Sequence, residues 1–263
     1  MMPYISLGNI YLPSYGVFAF FGLLVCLVIA MFPRANLGIG RRAFLRSLLG
    51  VFPWGYIGAV VVGYISKIGY ILENEMGFLE SIQRLTIVFY GGLLGGMLGL
   101  YEFARSNKKE FYLYADAYAR LVPIFHAFGR VGCFCAGCCY GVEAQSLLSD
   151  APGANGVVDR IPVQLFEAAG CLLLGIYLLT RKGVRRRGWY FWRYISCYAV
   201  FRFALEFLRD DAIRGIWFGL STSQWVSLAL LSASAVQMLS RYVAKGEPKA
   251  CQTFMKLNGG KKN

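Results

Sequence analysis

Seven long apolar segments dominate this chain and limit its possible folds more than any other feature. The hydrocarbon core of a membrane is about 30 Å thick, so a helix needs roughly 20 apolar residues to cross it. The segments lie at about 15–32, 50–72, 85–103, 112–133, 163–180, 189–208 and 222–240. The sequence therefore predicts an all-α, polytopic integral membrane protein with about seven transmembrane helices.

The composition excludes other classes of protein. Hydrophobic residues make up 57% of the chain and charged residues 16%, which argues against a water-soluble globule or a disordered chain. The apolar runs lack heptads, which argues against a coiled coil. They are also too many for a small secreted module held together by disulfides between the eight cysteines. No basic residue precedes the first segment, so we expect it to remain as a span rather than be cleaved. We expect a single transmembrane domain over residues 1–263.

The charge distribution predicts an orientation in the membrane. The formal net charge is +13, and the basic residues alternate with acidic loops along the chain. Because basic loops stay cytoplasmic, we expect an outside N-terminus, an outside loop at about 141–162 that is a mobile cover or a connector, and a basic cytoplasmic tail at about 241–263. This pattern argues against a nucleic-acid partner. The basic loops contain Arg34, Arg41, Arg42 and Arg46, then Arg105, Lys108 and Lys109, then Arg181, Lys182, Arg185, Arg186 and Arg187.

Span six carries four polar residues on one face. Tyr198, Arg202, Glu206 and Arg209 are spaced by four, four and three residues, which stacks them along a helix. Ionisable groups inside a membrane are functional hypotheses by default. One glutamate cannot neutralise two guanidiniums, so we expect an anion, and a lipid phosphate suits the planar fork of arginine. The alternative is an ion-pair ladder that only fixes helix packing.

Span four ends in a second polar cluster, which the predicted orientation puts at the outer surface. Arg130 adds a third cation near the same membrane face, with few anions nearby, and Lys67 adds another at the outer end of span two. His126 lies four residues before Arg130 and is the only histidine. It is either a packing residue or a catalytic base.

Four cysteines follow within seven residues: Cys133, Cys135, Cys138 and Cys139. Three interpretations stay open, namely a metal ligand set, a disulfide on the oxidising side, and small buried thiols. The second ligand pair and the histidines of ordinary zinc modules are missing. We therefore predict no metal and no cofactor.

Span three contains glycines at a helical repeat. Glycines 91, 95 and 99 recur every four residues, as do 92 and 96, a spacing typical of closely packed membrane helices. Tyr90 precedes them and would then be held in a defined place.

Five elements, in order along nearly the whole chain, resemble the prolipoprotein diacylglyceryl transferases of bacteria. Tyr15 lies in a Ser-Tyr-Gly that looks like the family's Trp-Tyr-Gly, and Lys67 begins a Lys-Ile-Gly-Tyr that looks like Arg-x-Gly-Tyr. The Gly-Arg-Val-Gly-Cys-Phe around Arg130 is similar to the signature Gly-Arg-x-Gly-Asn-Phe. Pro162-Val-Gln-Leu-Phe-Glu167 resembles His-Pro-x-Gln-Leu-Tyr-Glu, and the span-six residues match the family spacing.

The departures from the family concern its proton chemistry. Tyr90 stands where the family has a catalytic histidine, and Cys133, Ala136 and Cys138 replace two asparagines and a glutamate of the signature. The arginines are retained. The resemblance therefore supports anion binding better than it supports the family's usual base.

The resemblance implies an activity and its partners. The family moves a diacylglyceryl group from phosphatidylglycerol to the lipobox cysteine in the signal peptide of a prolipoprotein, at the outer face of the bacterial cytoplasmic (inner) membrane. By this resemblance Arg130 and Arg202 are catalytic, with Tyr90, His126 or Cys138 assisting proton transfer. The phospholipid-binding candidates are Tyr15, Lys67, Arg130, Cys133, Tyr198, Arg202, Glu206 and Arg209.

Other functions remain compatible with these residues. The chain is alternatively a catalytically silent phospholipid-binding homologue or a membrane thiol redox sensor. A third interpretation retains the transferase chemistry and changes the acceptor.

Overall fold

The computed structural model describes residues 3–7, 10–32, 37–66, 68, 89–143, 151–153, 156–181, 186–209 and 216–246. Each of the seven predicted apolar segments coincides with a helix in these ranges. Helix α2 begins well before the predicted start of its span, and α4 continues past the predicted end. The helices are α1 (Ser14–Met31), α2 (Arg41–Ser66), α3 (Phe89–Ser106), α4 (Phe111–Ala136), α5 (Val163–Thr180), α6 (Trp189–Glu206) and α7 (Thr222–Gly246).

Three short antiparallel hairpins accompany the helices. β1 (Tyr4–Leu7) pairs with β2 (Ile10–Pro13), and Tyr4 lies opposite Pro13. β3 (Ala151–Gly153) pairs with β4 (Gly156–Arg160) within the predicted outside loop. β5 (Ile216–Trp217) pairs with β6 (Leu220–Ser221), which leads directly into α7. The loop at 141–162 therefore contains local structure that its sequence pattern did not predict.

The described surface is apolar, as expected of a protein surrounded by lipid. Leu49, Leu173 and Leu239 are 77%, 67% and 63% exposed, whereas Glu167 and Arg202 are buried. Three helices, α1, α2 and α5, are long and apolar enough by themselves to cross a membrane. Helices α4 and α6 are less apolar because they contain the charged residues of the polar clusters. Charge inside and apolar groups outside identify a helical membrane protein.

Helices α2 and α3 pack backbone against backbone through one of the two predicted glycine rows. A Cβ on Gly91 would collide with the carbonyl oxygen of Gly58, one on Gly95 with that of Trp54, and one on Gly99 with that of Gly50. In the other row, Gly92 and Gly96, a Cβ would lie at ordinary van der Waals distance from its neighbours. In the described ranges, this helix pair packs most closely on itself and meets α4 through side chains, including a 2.9 Å hydrogen bond between the Ser47 and Tyr118 hydroxyls. The packing interpretation of the row is thus confirmed.

Helix α4 is the centre of the remaining helices, and it packs against α1, α5 and α6. Two of its charged residues have structural partners. Asp116 accepts hydrogen bonds from the backbone N–H groups of Gly188 (2.6 Å) and Phe191 (2.9 Å), where α6 begins. Arg120 lies over the ring of Tyr190, 3.5 Å from its centroid. The N-terminal half of α4 therefore anchors the start of α6. This contact fixes the position of the polar residues of α6 along the axis of α4.

Candidate active site

Three helices bring the predicted polar residues together at one end of the bundle. Helix α4 carries His126 and Arg130, and α6 carries Tyr198, Arg202 and Glu206. Helix α5 inserts Glu167 between them, since this carboxylate contacts residues of both. The predicted union of the span-four and span-six clusters is therefore found, with a third helix added.

Glu167 is the residue at the centre of the site; it ends the family-like Pro162–Glu167 motif, but the predicted site residues did not include it. Its side chain is 0% exposed. Its Oε1 lies 3.0 Å from Arg130 Nη2 and accepts a hydrogen bond of 3.0 Å from the Tyr198 hydroxyl. Its Oε2 lies 3.8 Å from Arg209 Nη1. The expectation of few anions near the arginines was wrong, because a carboxylate from α5 joins two of them.

Arg202 is held by the last turn of its own helix and by the start of α7. Its Nη2 lies 2.7 Å from Glu206 Oε2 and donates to Ser223 Oγ at 3.1 Å. Ser221 Oγ donates to Glu206 Oε1 at 2.7 Å. Two further nitrogens of Arg202, Nε and Nη1, are buried and have no hydrogen-bond partner among the described residues. Arg202 therefore has donors left for a ligand.

Arg209 lies beyond the end of α6, so the predicted four-residue helical stripe is one residue too long. The helix ends at Glu206, and Arg209 forms an antiparallel pair with Gly141 instead. A Cβ on Gly141 would lie 2.5 Å from the carbonyl oxygen of Leu208, so this close approach requires glycine. The pairing keeps the arginine in the cluster, with its Nε 3.9 Å from Glu206 Oε2.

The joined residues still have an excess of positive charge. The guanidiniums of Arg130, Arg202 and Arg209 face the carboxylates of Glu167 and Glu206. Three cations and two anions leave one positive charge among these described residues, with the histidine neutral. A site with this balance favours an anionic ligand, and low-dielectric surroundings strengthen that preference.

His126 is engaged through both ring nitrogens. Its Nε2 accepts a hydrogen bond of 3.2 Å from Arg130 Nε, and its Nδ1 lies 3.6 Å from the Cys171 thiol. Accepting from a guanidinium requires an unprotonated Nε2, which places the ring proton on Nδ1. The ring also lies 5.2 Å from that of Tyr198. This geometry favours the packing interpretation, with His126 positioning Arg130.

Three of the four clustered cysteines converge at the end of α4, whose last turns contain Cys133. The Sγ atoms of Cys133, Cys138 and Cys139 lie within 4.8 Å of one another, and Cys135 is not part of the group. The chain turns at Gly137 (φ 75°), and Cys139 also adopts a positive φ of 63°. That conformation is uncommon outside glycine, and it turns the last two thiols back towards Cys133.

The thiols lie beside the arginine cluster. Hydrogen bonds from Cys133 and Cys138 lower the pKa of the Cys139 thiol, and the charges of Arg130 and Arg209 act in the same direction. Gln164 Nε2 donates to the Cys138 carbonyl oxygen at 2.7 Å and ties this turn to α5. The arginines and the cysteines therefore form two adjacent parts of one site.

Of the three remaining candidates, one lies in the described site. Tyr15, at the start of α1, is partly exposed, and a Cβ on Gly132 would lie 3.1 Å from its Cα. The positive charge of Arg130 also acts electrostatically on the Tyr15 hydroxyl. Lys67 lies outside the described residues, and Tyr90 lies in the first turn of α3 with a side chain outside the described part.

Comparison with known proteins agrees with the geometry. A family model described as prolipoprotein diacylglyceryl transferase matches residues 3–240. A phosphatidylglycerol–prolipoprotein diacylglyceryl transferase of Idiomarina loihiensis is 32% identical over 71% of this chain and 73% of its own length. The enzyme of that name from Photobacterium profundum is 32% identical over 93% of this chain and 94% of its own. The chain belongs to the prolipoprotein diacylglyceryl transferase family.

Proposed function

We propose that this protein transfers the diacylglyceryl group of phosphatidylglycerol to the lipobox cysteine of prolipoproteins. Relatives that match most of the chain are named for this reaction. The observation that carries the proposal within the molecule is Arg202, a buried arginine with two N–H-bearing nitrogens unused by the described residues. Guanidinium donors of this kind suit the oxygens of a lipid phosphate.

The surplus positive charge gives the arginines a role in the reaction. A thiolate attacks the glyceryl carbon, a C–S bond forms, and the C–O bond to the phosphate breaks. The bonding electrons leave with glycerol phosphate, whose added negative charge Arg130, Arg202 and Arg209 stabilise. The acceptor thiol must lose its proton, since the thiolate is the nucleophile.

The neighbouring residues position these arginines. Glu167 and His126 hold Arg130 from two sides, and Tyr198 fixes Glu167 through its hydroxyl. Glu206 and Ser223 hold Arg202. Positioned donors cost no reorganisation when charge develops.

The proton acceptor is a separate assignment. Cys138 has an exposed thiol at the edge of the site, and we retain it and Tyr90 as candidates for assisting proton transfer. Tyr15 and Lys67 are assigned to the lipid-contacting rim, whereas Cys133 is buried near the end of α4 and is not assigned to it. His126 is the weakest base of the set because Arg130 occupies its Nε2.

We also propose seven membrane spans with the N-terminus outside, so that this site opens at the outer face of the cytoplasmic membrane. Alternation of basic and acidic loops supports this topology. A membrane-impermeant maleimide added to intact cells should label the exposed Cys138 under this topology. Labelling of Cys138 only after the cells are lysed would reverse it.

The activity test is mass spectrometry of a lipobox-cysteine peptide incubated with purified protein in phosphatidylglycerol liposomes. A diacylglyceryl mass gain on the cysteine is expected, and it should be lost in Arg202→Ala. Arg187→Ala is the matched control, because it removes the same charge from an exposed pair with Glu110, away from this cluster.

Each result has a distinct meaning. A gain in the native protein and in Arg187→Ala, without one in Arg202→Ala, supports the phosphate assignment. Full activity in Arg202→Ala overturns that assignment. No gain in a folded native protein that still binds the lipid overturns the transferase and favours a silent lipid-binding homologue, a thiol sensor or a different acceptor.

A further inference from the structure

Cys133, Cys138 and Cys139, at the end of α4, form a cysteine triad that the phosphate chemistry does not use. Cys133 is buried, Cys139 is partly buried and Cys138 is exposed. Their sulfurs lie within 4.8 Å of one another. Zinc bound by thiolates has Zn–S distances of about 2.3 Å, which puts tetrahedral sulfurs roughly 3.8 Å apart. Small side-chain rotations therefore suffice to bring all three onto one cation.

We propose that Cys133, Cys138 and Cys139 bind a zinc-class thiophilic cation whose fourth position receives the acceptor thiol. This inference rests on the proposed transferase function for its last step, whereas the metal site stands on the geometry and replaces the prediction of no metal made from the cysteine spacing. Catalytic zinc sites characteristically combine three protein ligands with one open position. The exposed Cys138 marks the side from which a fourth ligand can approach.

The charge of the site fits such a cation. Three thiolates and one divalent zinc carry a net charge of −1, and the arginine cluster beside them carries a surplus of +1. The combined site then carries no net charge before substrate enters, which lowers the cost of keeping it in a membrane protein, while the positive charge stays on the arginines that face the lipid phosphate.

The backbone around the triad is arranged for convergence. The Cys138 N–H donates to the Cys133 carbonyl oxygen at 3.1 Å, closing the end of α4. Cys139 then adopts a positive φ of 63°, and Gln164 holds the Cys138 carbonyl from α5. A local conformation that is uncommon for cysteine is thus maintained by contacts with two helices.

The cation would activate the acceptor in a balanced step. The peptide thiol would bind the metal as a thiolate and release its proton to water, so Cys138 would serve as a metal ligand and not in proton transfer. The sulfur then attacks the glyceryl carbon, the C–S bond forms, and the C–O electrons leave with glycerol phosphate. The neutral thioether is a weaker ligand than a thiolate and dissociates, and the metal undergoes no redox change.

The first experiment measures the site itself in the full-length protein, reduced with a phosphine and freed of metal. Titration with Co²⁺ should give one equivalent of a thiolate-to-cobalt charge-transfer band. Cys139→Ser should weaken zinc competition for this site by roughly 100-fold or more. Cys135→Ser is the matched control, because it removes a cysteine of the same segment outside the triad, and it should bind as the native protein does. Equal binding by both variants overturns the site.

The second experiment tests the open position. A lipobox-cysteine peptide should shift the cobalt bands, and the same peptide with serine should not. Absence of a shift with bound cobalt overturns the open position. Undiminished diacylglyceryl transfer by metal-free protein overturns the metal's role and leaves the proposed transferase intact. Cobalt binding and a peptide response without transfer in any form support the site while overturning the transferase.

Discussion

Glu167→Gln is the substitution that tests the buried charge network most directly. Glutamine retains the volume of glutamate and an oxygen that accepts from Tyr198, so the change removes the negative charge and little else. The lost carboxylate lies 3.0 Å from Arg130 and 3.8 Å from Arg209. At an effective dielectric constant of about 20, the shorter contact corresponds to roughly 5 kcal/mol of attraction.

The expected loss in free energy of unfolding is about 3–5 kcal/mol, the range for removing one partner of a buried ion pair. Unfolding by denaturant in mixed micelles, followed by tryptophan fluorescence, measures this quantity. Glu143→Gln is the matched control, because it breaks an exposed pair with Arg160, in which Glu143 is 66% exposed. That variant should lose about 0–1 kcal/mol.

A second substitution determines whether the loss arises from an unpaired cation. Arg130→Gln in the Glu167→Gln background removes the guanidinium that the carboxylate no longer neutralises. The double variant should therefore be more stable than Glu167→Gln alone. If Glu167→Gln costs no more than Glu143→Gln, or if the double variant is less stable than the single one, the network does not carry the energy assigned to it.

Three further substitutions, the first with a matched control, test the packing and capping contacts. Gly95→Ala should lose about 1–3 kcal/mol of stability, because the new Cβ would collide with the Trp54 carbonyl oxygen. Gly96→Ala is the control, because a Cβ has ordinary space there, and this variant should melt within a few degrees of the native protein in detergent. Asp116→Asn should lose about 1.5–3 kcal/mol in denaturant unfolding, because one amide oxygen cannot serve the two N–H groups at the start of α6 as a carboxylate does. Tyr198→Phe should lose about 1 kcal/mol in the same assay, since the buried carboxylate of α5 keeps its arginine partners; no change would remove the hydroxyl from the network.

The helices were predictable because apolar length is a local property of the sequence. Each predicted segment coincides with a helix, and the spacing of Tyr198, Arg202 and Glu206 correctly placed them on one face. The same reasoning extended the face to Arg209, which the structure places after the helix end. Arg209 pairs instead with Gly141, a residue far away in sequence.

The centre of the site was not predictable by counting charges within each span. Glu167 belongs to α5, while its partners Arg130 and Tyr198 belong to α4 and α6. The available signal was an ionisable residue inside an apolar span, three residues after Gln164. Convergence of the cysteine triad likewise depends on the positive φ of Cys139, which spacing does not reveal.

The glycine contact between α2 and α3 has a consequence for the dynamics of the protein. Two helices whose backbones touch cannot shift past one another, whereas α4 meets them through side chains, among them the Ser47–Tyr118 hydrogen bond. Regions with dense internal packing open as cooperative units. Amide protons of α2 and α3 should therefore exchange with deuterium together, at a rate separate from that of α4.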